Sequence, residues 1–233
     1  MSALEHAAGV ARQAGDLNVL SWSESYLAIL GELGADPVRA EEHAGRAFDT
    51  AERTGSALDR ALAATGVAVA KTTRGSWAKA ASALDEALAI VRSTRALLTW
   101  ESFILARLTD VHLAEGDSRR ALEAADEAIA TARLHGTVEY ELRSHLARAR
   151  ALSRGVGADA KAEIGNSLLE AEALVKTTGA ESWRPFIHEE RARLAHLTGD
   201  DAAREQELRE AERLFLEIGA PIHAERLAKE LRS

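Results

Sequence analysis

Six alanines repeat along this chain of 233 residues at intervals of 40, 40, 41, 43 and 40 residues. They are Ala7, Ala47, Ala87, Ala128, Ala171 and Ala211. Eight residues after each alanine comes a residue that can end a helix, and these are Gly15, Gly55, Arg95, Gly136, Gly179 and Gly219. A fixed period between about 20 and 50 residues indicates a stack of structural repeats. The period therefore predicts a helical solenoid.

Each repeat contains two runs of apolar residues with helical spacing. In residues 97–136 the first run consists of Phe103, Ile104, Leu108, Val111 and Leu113. The second run consists of Ala121, Leu122, Ala125, Ala128, Ile129 and Ala132. Between the runs, Gly116 can end one helix and Asp117 can cap the next. Each repeat is therefore predicted to be a helical hairpin.

The alanines themselves predict a close contact between the two helices of a hairpin. Helices approach to about 8 Å only where the contacting side chains are small. The first helices offer small residues at the matching place, namely Ala28, Ala68, Thr109 and Ala192. We therefore expect the six alanines to be buried where paired helices meet.

The pattern resembles the tetratricopeptide repeat (TPR) family, and the resemblance covers essentially the whole chain. Its residues here are the turn Gly116-Asp117, alanines seven apart (Ala40 with Ala47, Ala80 with Ala87, Ala121 with Ala128) and Trp77 after a turn. Ile164 and Arg204 depart from it, because they replace the first alanine in the last two full repeats. The resemblance implies an all-α fold, a right-handed α-α superhelix of about twelve antiparallel helices, whose first helices line a concave groove.

The period of about 40 residues points to a particular group within the TPR family, since the commonest TPR period is about 34 residues. Repeats of about 40 residues are similar to the arrays in large bacterial LuxR-type, ATP-dependent transcription regulators and in cyclase-associated signalling ATPases. Residues 210–231 are similar to the way such arrays end. The resemblance implies a regulatory module of a bacterial transcription or signalling protein.

We expect a single solenoid domain over residues 1–233. It divides into a half-repeat at 1–15, hairpins at 16–55, 56–95, 96–136, 137–179 and 180–219, and a capping helix at 220–233. The start in mid-hairpin predicts that a preceding segment has been removed. The alternative is a complete small protein that opens with a capping helix.

Composition argues against several classes of partner. The formal net charge of −8 argues against general attraction to nucleic acid or to anionic membranes. The N-terminus shows no secretory signal, and the longest uncharged run is too short to span a bilayer. The chain has no cysteine. We therefore expect a cytoplasmic location, with no direct binding of nucleic acid or membrane.

No catalytic motif is present in the sequence. It lacks a G-x-x-x-x-G-K-[ST] phosphate loop, which argues against nucleotide hydrolysis. The segment from His188 to Ala192 begins like a zinc-protease motif but lacks the second histidine. We therefore predict that the chain is not an enzyme and uses no cofactor or metal.

The family's groove positions give the candidate binding residues. They are Trp22, Ser25, Ile29, Phe103, Asp110, Arg143, Arg150, Glu189, Arg193 and His196. Trp100 and Trp183 occupy equivalent positions near the starts of two first helices, where core packing is the alternative to binding. The expected partner is a protein or peptide, with a small effector as a further option. The alternative function is a stand-alone scaffold that forms a homodimer.

One basic segment interrupts the acidic trend. Residues 143–154 contain four arginines and no acid, and Arg143, Arg150 and Arg154 share one helix face. Guanidinium groups on one face can bind an acidic or phosphorylated ligand. The alternative is pairing with Glu139, Glu141 or acids of adjacent hairpins.

Overall fold

A computed structural model describes residues 2–34, 36–95 and 97–232, and within these ranges all regular structure is helical. The first six helices are α1 (Ser2–Ala14), α2 (Leu17–Gly34), α3 (Pro37–Thr54), α4 (Ala57–Thr72), α5 (Trp77–Thr94) and α6 (Leu98–Ala114). The next six are α7 (Ser118–His135), α8 (Val138–Gly155), α9 (Lys161–Thr178), α10 (Arg184–Leu197), α11 (Asp201–Glu217) and α12 (Pro221–Glu230). Short 3₁₀ turns at Gly157–Ala160 and Glu181–Trp183 precede α9 and α10.

The chain divides into two compact units, Met1–Glu115 and Gly116–Ser233. In the first unit α2 packs on α3 and α4, and α4 packs on α5. In the second unit α8 packs on α7 and α9, and α10 packs on α11. The boundary between the units falls inside the predicted hairpin 96–136. The predicted turn at Ala35 and the predicted repeat edges at Met1, Ala96 and Ser233 lie outside the described residues.

The predicted helix ends are confirmed. All five glycines eight residues after a repeat alanine adopt positive φ, between 66° and 74°. Arg95, the exception in the sequence pattern, takes the same left-handed conformation with φ 54°. That backbone lets the chain leave one helix and enter the next within a few residues. At the other ends, Asp36, Ser56, Asp117 and Asp200 accept hydrogen bonds from first-turn amides and cap their helices.

Five of the six repeat alanines are fully buried, as predicted: Ala47, Ala87, Ala128, Ala171 and Ala211. The prediction is wrong for Ala7, which is only half-buried. On α1 the buried residues are Ala8 and Ala11, which pack with Leu20 and Leu27 of α2. The face of α1 that packs on α2 is therefore centred on Ala8 and Ala11, and not on the predicted Ala7.

Close helix contacts also depend on glycine. A Cβ on Gly66 of α4 would lie 3.3 Å from the Ala28 Cβ of α2. Such spacing leaves no room for a larger side chain between α2 and α4. The first helices α2 and α4 therefore approach each other closely at this point.

No helix in the described ranges is long and apolar enough to cross a membrane.

Candidate binding sites

The first candidate is a group of aromatic side chains on α2 and α6, which we call the α2–α6 aromatic surface (Trp22, Tyr26 and Trp100). Trp22 and Tyr26 lie one helical turn apart, with 39% and 38% of their surface exposed. The Tyr26 ring meets the buried Trp100 edge to face, with ring centroids 5.8 Å apart. Trp100 in turn packs on Phe103. The first unit thus exposes the rings of Trp22 and Tyr26 to solvent, and the Tyr26 ring packs on a buried aromatic side chain.

A buried carboxylate fixes the first of these rings. The Trp22 indole Nε1 donates to Asp59 Oδ1 at 2.6 Å. Asp59 lies in the first turn of α4, where the helix dipole favours a carboxylate, and only 1% of its surface is exposed. Its second oxygen, Oδ2, has no hydrogen-bond partner among the described residues.

The other predicted groove residues of the first unit are less exposed. Ser25 is completely buried, and its hydroxyl donates to the Ser21 carbonyl, so it faces α4 and not solvent. Ile29 and Asp110 are half-buried. Phe103 is 8% exposed, and the guanidinium of Arg107 covers its ring. Of the five predicted positions in this unit, Trp22 is therefore the one that offers a large side chain to a ligand.

The second candidate is an ionic cluster on α10. Glu189 accepts a hydrogen bond from Arg193 at 2.8 Å and another from Arg226 of α12 at 2.7 Å. Glu190 accepts from Arg193 at 2.9 Å, and the Arg150 Nε of α8 lies 3.6 Å from its carboxylate. The two carboxylates are buried, while the arginines reach them from three helices. The cluster therefore joins α8, α10 and α12.

A cavity of about 240 Å³ opens beside this cluster. Three predicted groove residues line it, Glu189, Arg193 and His196. It is bounded by the ends of α8 and α12 and by α10 and α11, so it lies wholly within the second unit. We call it the α10 cavity.

The basic segment of α8 is mostly engaged in contacts with its neighbours. Arg143 lies over the ring of Trp183, with 5.8 Å between the guanidinium carbon and the ring centroid. Arg148 pairs with Asp126 of α7 at 2.6 Å and also bonds Ser167 of α9. Arg154 differs, because it lines the α10 cavity and makes no hydrogen bond or ion pair with any described residue.

The sequence reasoning missed Tyr26, Asp59 and Ser153. Tyr26 follows Trp22 by four residues, so helical spacing alone places both on one face. Partial burial of its side chain raises the pKa of Tyr26 above the ordinary value of 10.0. Asp59 reads in the sequence as an ordinary first-turn acid, and no sequence signal singles out Ser153.

Within the described ranges, no group of three or more histidine, aspartate or glutamate side chains could hold a metal ion.

Solved structures establish the kind of fold. A Rap protein complexed with Competence and Sporulation Factor is 12% identical, with a TM-score of 0.71 over 98% of this chain and 67% of that one. TPR-like repeats assigned to a kinesin light chain of Podosopora anserina are 18% identical, with a TM-score of 0.60 over 84% of this chain and 94% of that one.

A third structure is a STAND ATPase from Pyrococcus horikoshii with a tetratricopeptide repeat sensor. It is 14% identical, with a TM-score of 0.55 over 93% of this chain but only 36% of that one. No family model matches the chain, and no curated protein sequence matches it. The chain therefore has an all-α, TPR-like repeat fold.

Proposed function

We propose that the chain is a non-catalytic protein-interaction module, and that its first unit binds a peptide or protein segment on the α2–α6 aromatic surface. The observation that carries the proposal is that Trp22 and Tyr26 are both more than a third exposed and both held in place, by Asp59 and by Trp100. Tryptophan and tyrosine contribute disproportionately to binding energy at protein interfaces.

The fixed orientation of the two rings favours binding. A side chain that already occupies its bound conformation loses little entropy when a partner arrives. The hydrogen bond between Trp22 and Asp59 restrains one ring, and the edge-to-face contact with Trp100 restrains the other. The exposed ring faces offer apolar area, so the segment we propose carries an aliphatic or aromatic side chain.

The comparisons support an interaction role without specifying it. The Rap structure contains a bound factor, and the STAND structure carries its repeats as a sensor. By analogy we propose that this chain serves as the regulatory region of a bacterial transcription or signalling protein in the cytoplasm. The segment of the STAND protein that it matches is a part of a longer chain.

A peptide selection tests the proposal. The full chain is used to select binders from a displayed peptide library, and the affinities of the selected peptides are then measured for Trp22→Ala and Tyr26→Ala. We expect each substitution to weaken binding about tenfold or more, which is typical of interface anchors. Tyr26→Ala removes no hydrogen bond that the structure shows, so it separates binding from folding.

Phe48→Ala is the matched control. Phe48 is 45% exposed and lies on α3, outside the aromatic surface. Its removal should change affinity less than about twofold, and the helical circular-dichroism signal should stay the same in all three variants. Selected peptides that bind wild type and Tyr26→Ala equally well would overturn the proposal, as would a selection that yields no binder.

A further inference from the structure

The α10 cavity has a buried polar group that nothing in the described chain satisfies. Ser153, near the end of α8, lines the cavity and is 8% exposed, yet its hydroxyl has no hydrogen-bond partner among the described residues. Buried hydroxyls in folded proteins are almost always hydrogen-bonded, because a bare one has lost its bonds to water. The hydroxyl oxygen is inaccessible to solvent in this conformation, so a ligand in the cavity would supply the missing partner once the Ser153 side chain rotates toward it.

The lining of the cavity also carries excess positive charge. It contains Arg154, Arg193 and Arg204 but only two acids, Glu189 and Glu230. The acids are already paired, Glu189 with Arg193 at 2.8 Å and Glu230 with Arg204 at 3.0 Å. Arg154, which is exposed to solvent at the edge of the lining, makes no ion pair with a described residue. One guanidinium therefore remains to receive one negative charge.

The size and the remaining walls set limits on the ligand. Ala192, Leu197 and Leu208 give the cavity an apolar side. A cavity of about 240 Å³ admits a small organic molecule. The ligand is thus small and partly aliphatic, and a guanidinium binds a carboxylate bidentately.

We propose that the α10 cavity binds a small organic monocarboxylate with a short aliphatic body. The carboxylate pairs with Arg154 and accepts a hydrogen bond from the Ser153 hydroxyl, while the aliphatic part lies against Leu197 and Leu208. A single excess charge favours a monoanion over a phosphate dianion. This site lies in residues 116–233 and the aromatic surface in residues 1–115, so each proposal can fail without the other.

Hexanoate, which has eight non-hydrogen atoms, is a suitable probe. Binding to the full-length, ¹⁵N-labelled chain is followed by the NMR shifts of arginine side-chain N–H groups. We expect saturable binding with a dissociation constant on the order of 1 mM, in line with so small a ligand. Neutral hexanamide has the same size and should bind at least about tenfold more weakly, because the charge-assisted bond is lost.

Three variants locate the site. Arg154→Gln should weaken hexanoate binding about tenfold through loss of the bidentate ion pair, and Ser153→Ala about threefold to fivefold through loss of one hydrogen bond. Ser153→Ala should not lower the melting temperature, because its hydroxyl makes no bond in the free protein; a purely structural role would lower it. Arg209→Gln, a matched change at an exposed arginine of α11 outside the cavity, should leave the affinity unchanged.

Each other outcome overturns the proposal. Absence of saturable hexanoate binding at tens of millimolar excludes a small-acid site. An equal loss in Arg209→Gln and Arg154→Gln shows general surface attraction. Binding of a short peptide that depends on its free C-terminal carboxylate and on Arg154, without hexanoate binding, assigns the cavity to a peptide end.

Discussion

Two hairpins, one in each unit, contain the same interhelical contact with its polarity reversed. In the first unit Glu24 of α2 lies 2.6 Å from the Nδ1 atom of His43 of α3. In the second unit the Nδ1 atom of His188 of α10 lies 2.6 Å from Glu207 of α11. Both pairs are separated by 19 residues in the sequence. The repeat thus fixes where a first helix meets its second helix, but not which partner carries the acid.

The surroundings of the two contacts differ more than their geometry. The Glu24 side chain is only 2% exposed, and it also accepts hydrogen bonds from Arg12 of α1 at 2.9 Å and from Arg46 of α3 at 3.0 Å. The Glu207 side chain is 25% exposed, and within the described residues His188 is its ion-pair partner. Two contacts of equal length therefore contribute different free energies to stability, because burial and the number of hydrogen-bond donors determine each contribution.

Substitution at Glu24 should have the largest effect on stability. Glu24→Gln keeps the size of the side chain but removes the charge, so three donors from α1 and α3 compete for one carbonyl oxygen. We expect a loss of about 2 to 3 kcal/mol in the free energy of unfolding, the range for buried hydrogen bonds to charged groups. Urea unfolding followed by circular dichroism measures it.

Glu42→Gln is the control for this experiment. Glu42 is an exposed neighbour on α3, and its carboxylate lies 3.9 Å from Arg46. Its loss should cost less than about 0.5 kcal/mol, as expected for an exposed pair on one helix. Equal losses for the two variants would mean that the buried cluster contributes no more than a surface pair.

A third histidine shows what happens without a close carboxylate. His145 of α8 is buried, its Nδ1 atom has no hydrogen-bond partner in the described chain, and its Nε2 atom lies 3.7 Å from Glu141. Burial, reinforced by the charge of Arg133, lowers the pKa of His145 below its ordinary value of 6.5. Glu141 and Glu170 oppose this shift but do not cancel it.

The lowered pKa of His145 determines how the stability of the fold changes with pH. As the pH falls below about 6.5, the unfolded chain takes up a proton at this histidine before the folded chain does. The neutral imidazole therefore contributes stability above that pH, and the contribution is lost as the pH falls through the folded pKa. We expect the free energy of unfolding to decrease between pH 7.5 and 5.5, and His145→Gln to flatten that decrease.

His6→Gln is the matched control, since His6 is exposed on α1. It should keep the wild-type slope, because the surroundings of an exposed side chain change little on unfolding. The experiment compares the slopes of the free energy of unfolding against pH, so a loss of stability in His145→Gln that is equal at every pH does not affect the comparison. An unchanged slope in that variant would show that other groups cause the acid sensitivity.

The parts of the fold that depend on local spacing could be predicted from the sequence. Glycine at a helix end and alanine eight residues before it act within one hairpin, and both predictions hold except at Ala7, where Ala8 and Ala11 make the contact with α2 instead. The polar contacts could not be predicted in the same way. Whether Asp59 meets Trp22, 37 residues away, depends on the axial register of α2 against α4, and a shift of one residue would separate them.

The same limit applies to the candidate sites. The resemblance to the TPR family implies Glu189, Arg193 and His196 as groove residues, and the structure brings them to one cavity. The resemblance could not show that Ser25 is buried in the contact with α4, because a small polar residue fits a buried position and a groove equally well. Nor could it show that Arg154 differs from Arg148, since the neighbouring helices decide which arginine finds an acid.

Substitution at Glu207 should have the smallest effect, and it is the sharpest check on the comparison. Glu207→Gln removes the acid from a contact of the same length and spacing as that of Glu24, but the side chain is partly solvated and has one ionic partner. We expect a loss of less than about 1 kcal/mol, typical of a partly exposed pair, measured by the same urea unfolding. Half-buried His188 can then bond water instead. A loss as large as that of Glu24→Gln would show that the geometry shared by the two contacts, and not their burial, determines the contribution of each to stability.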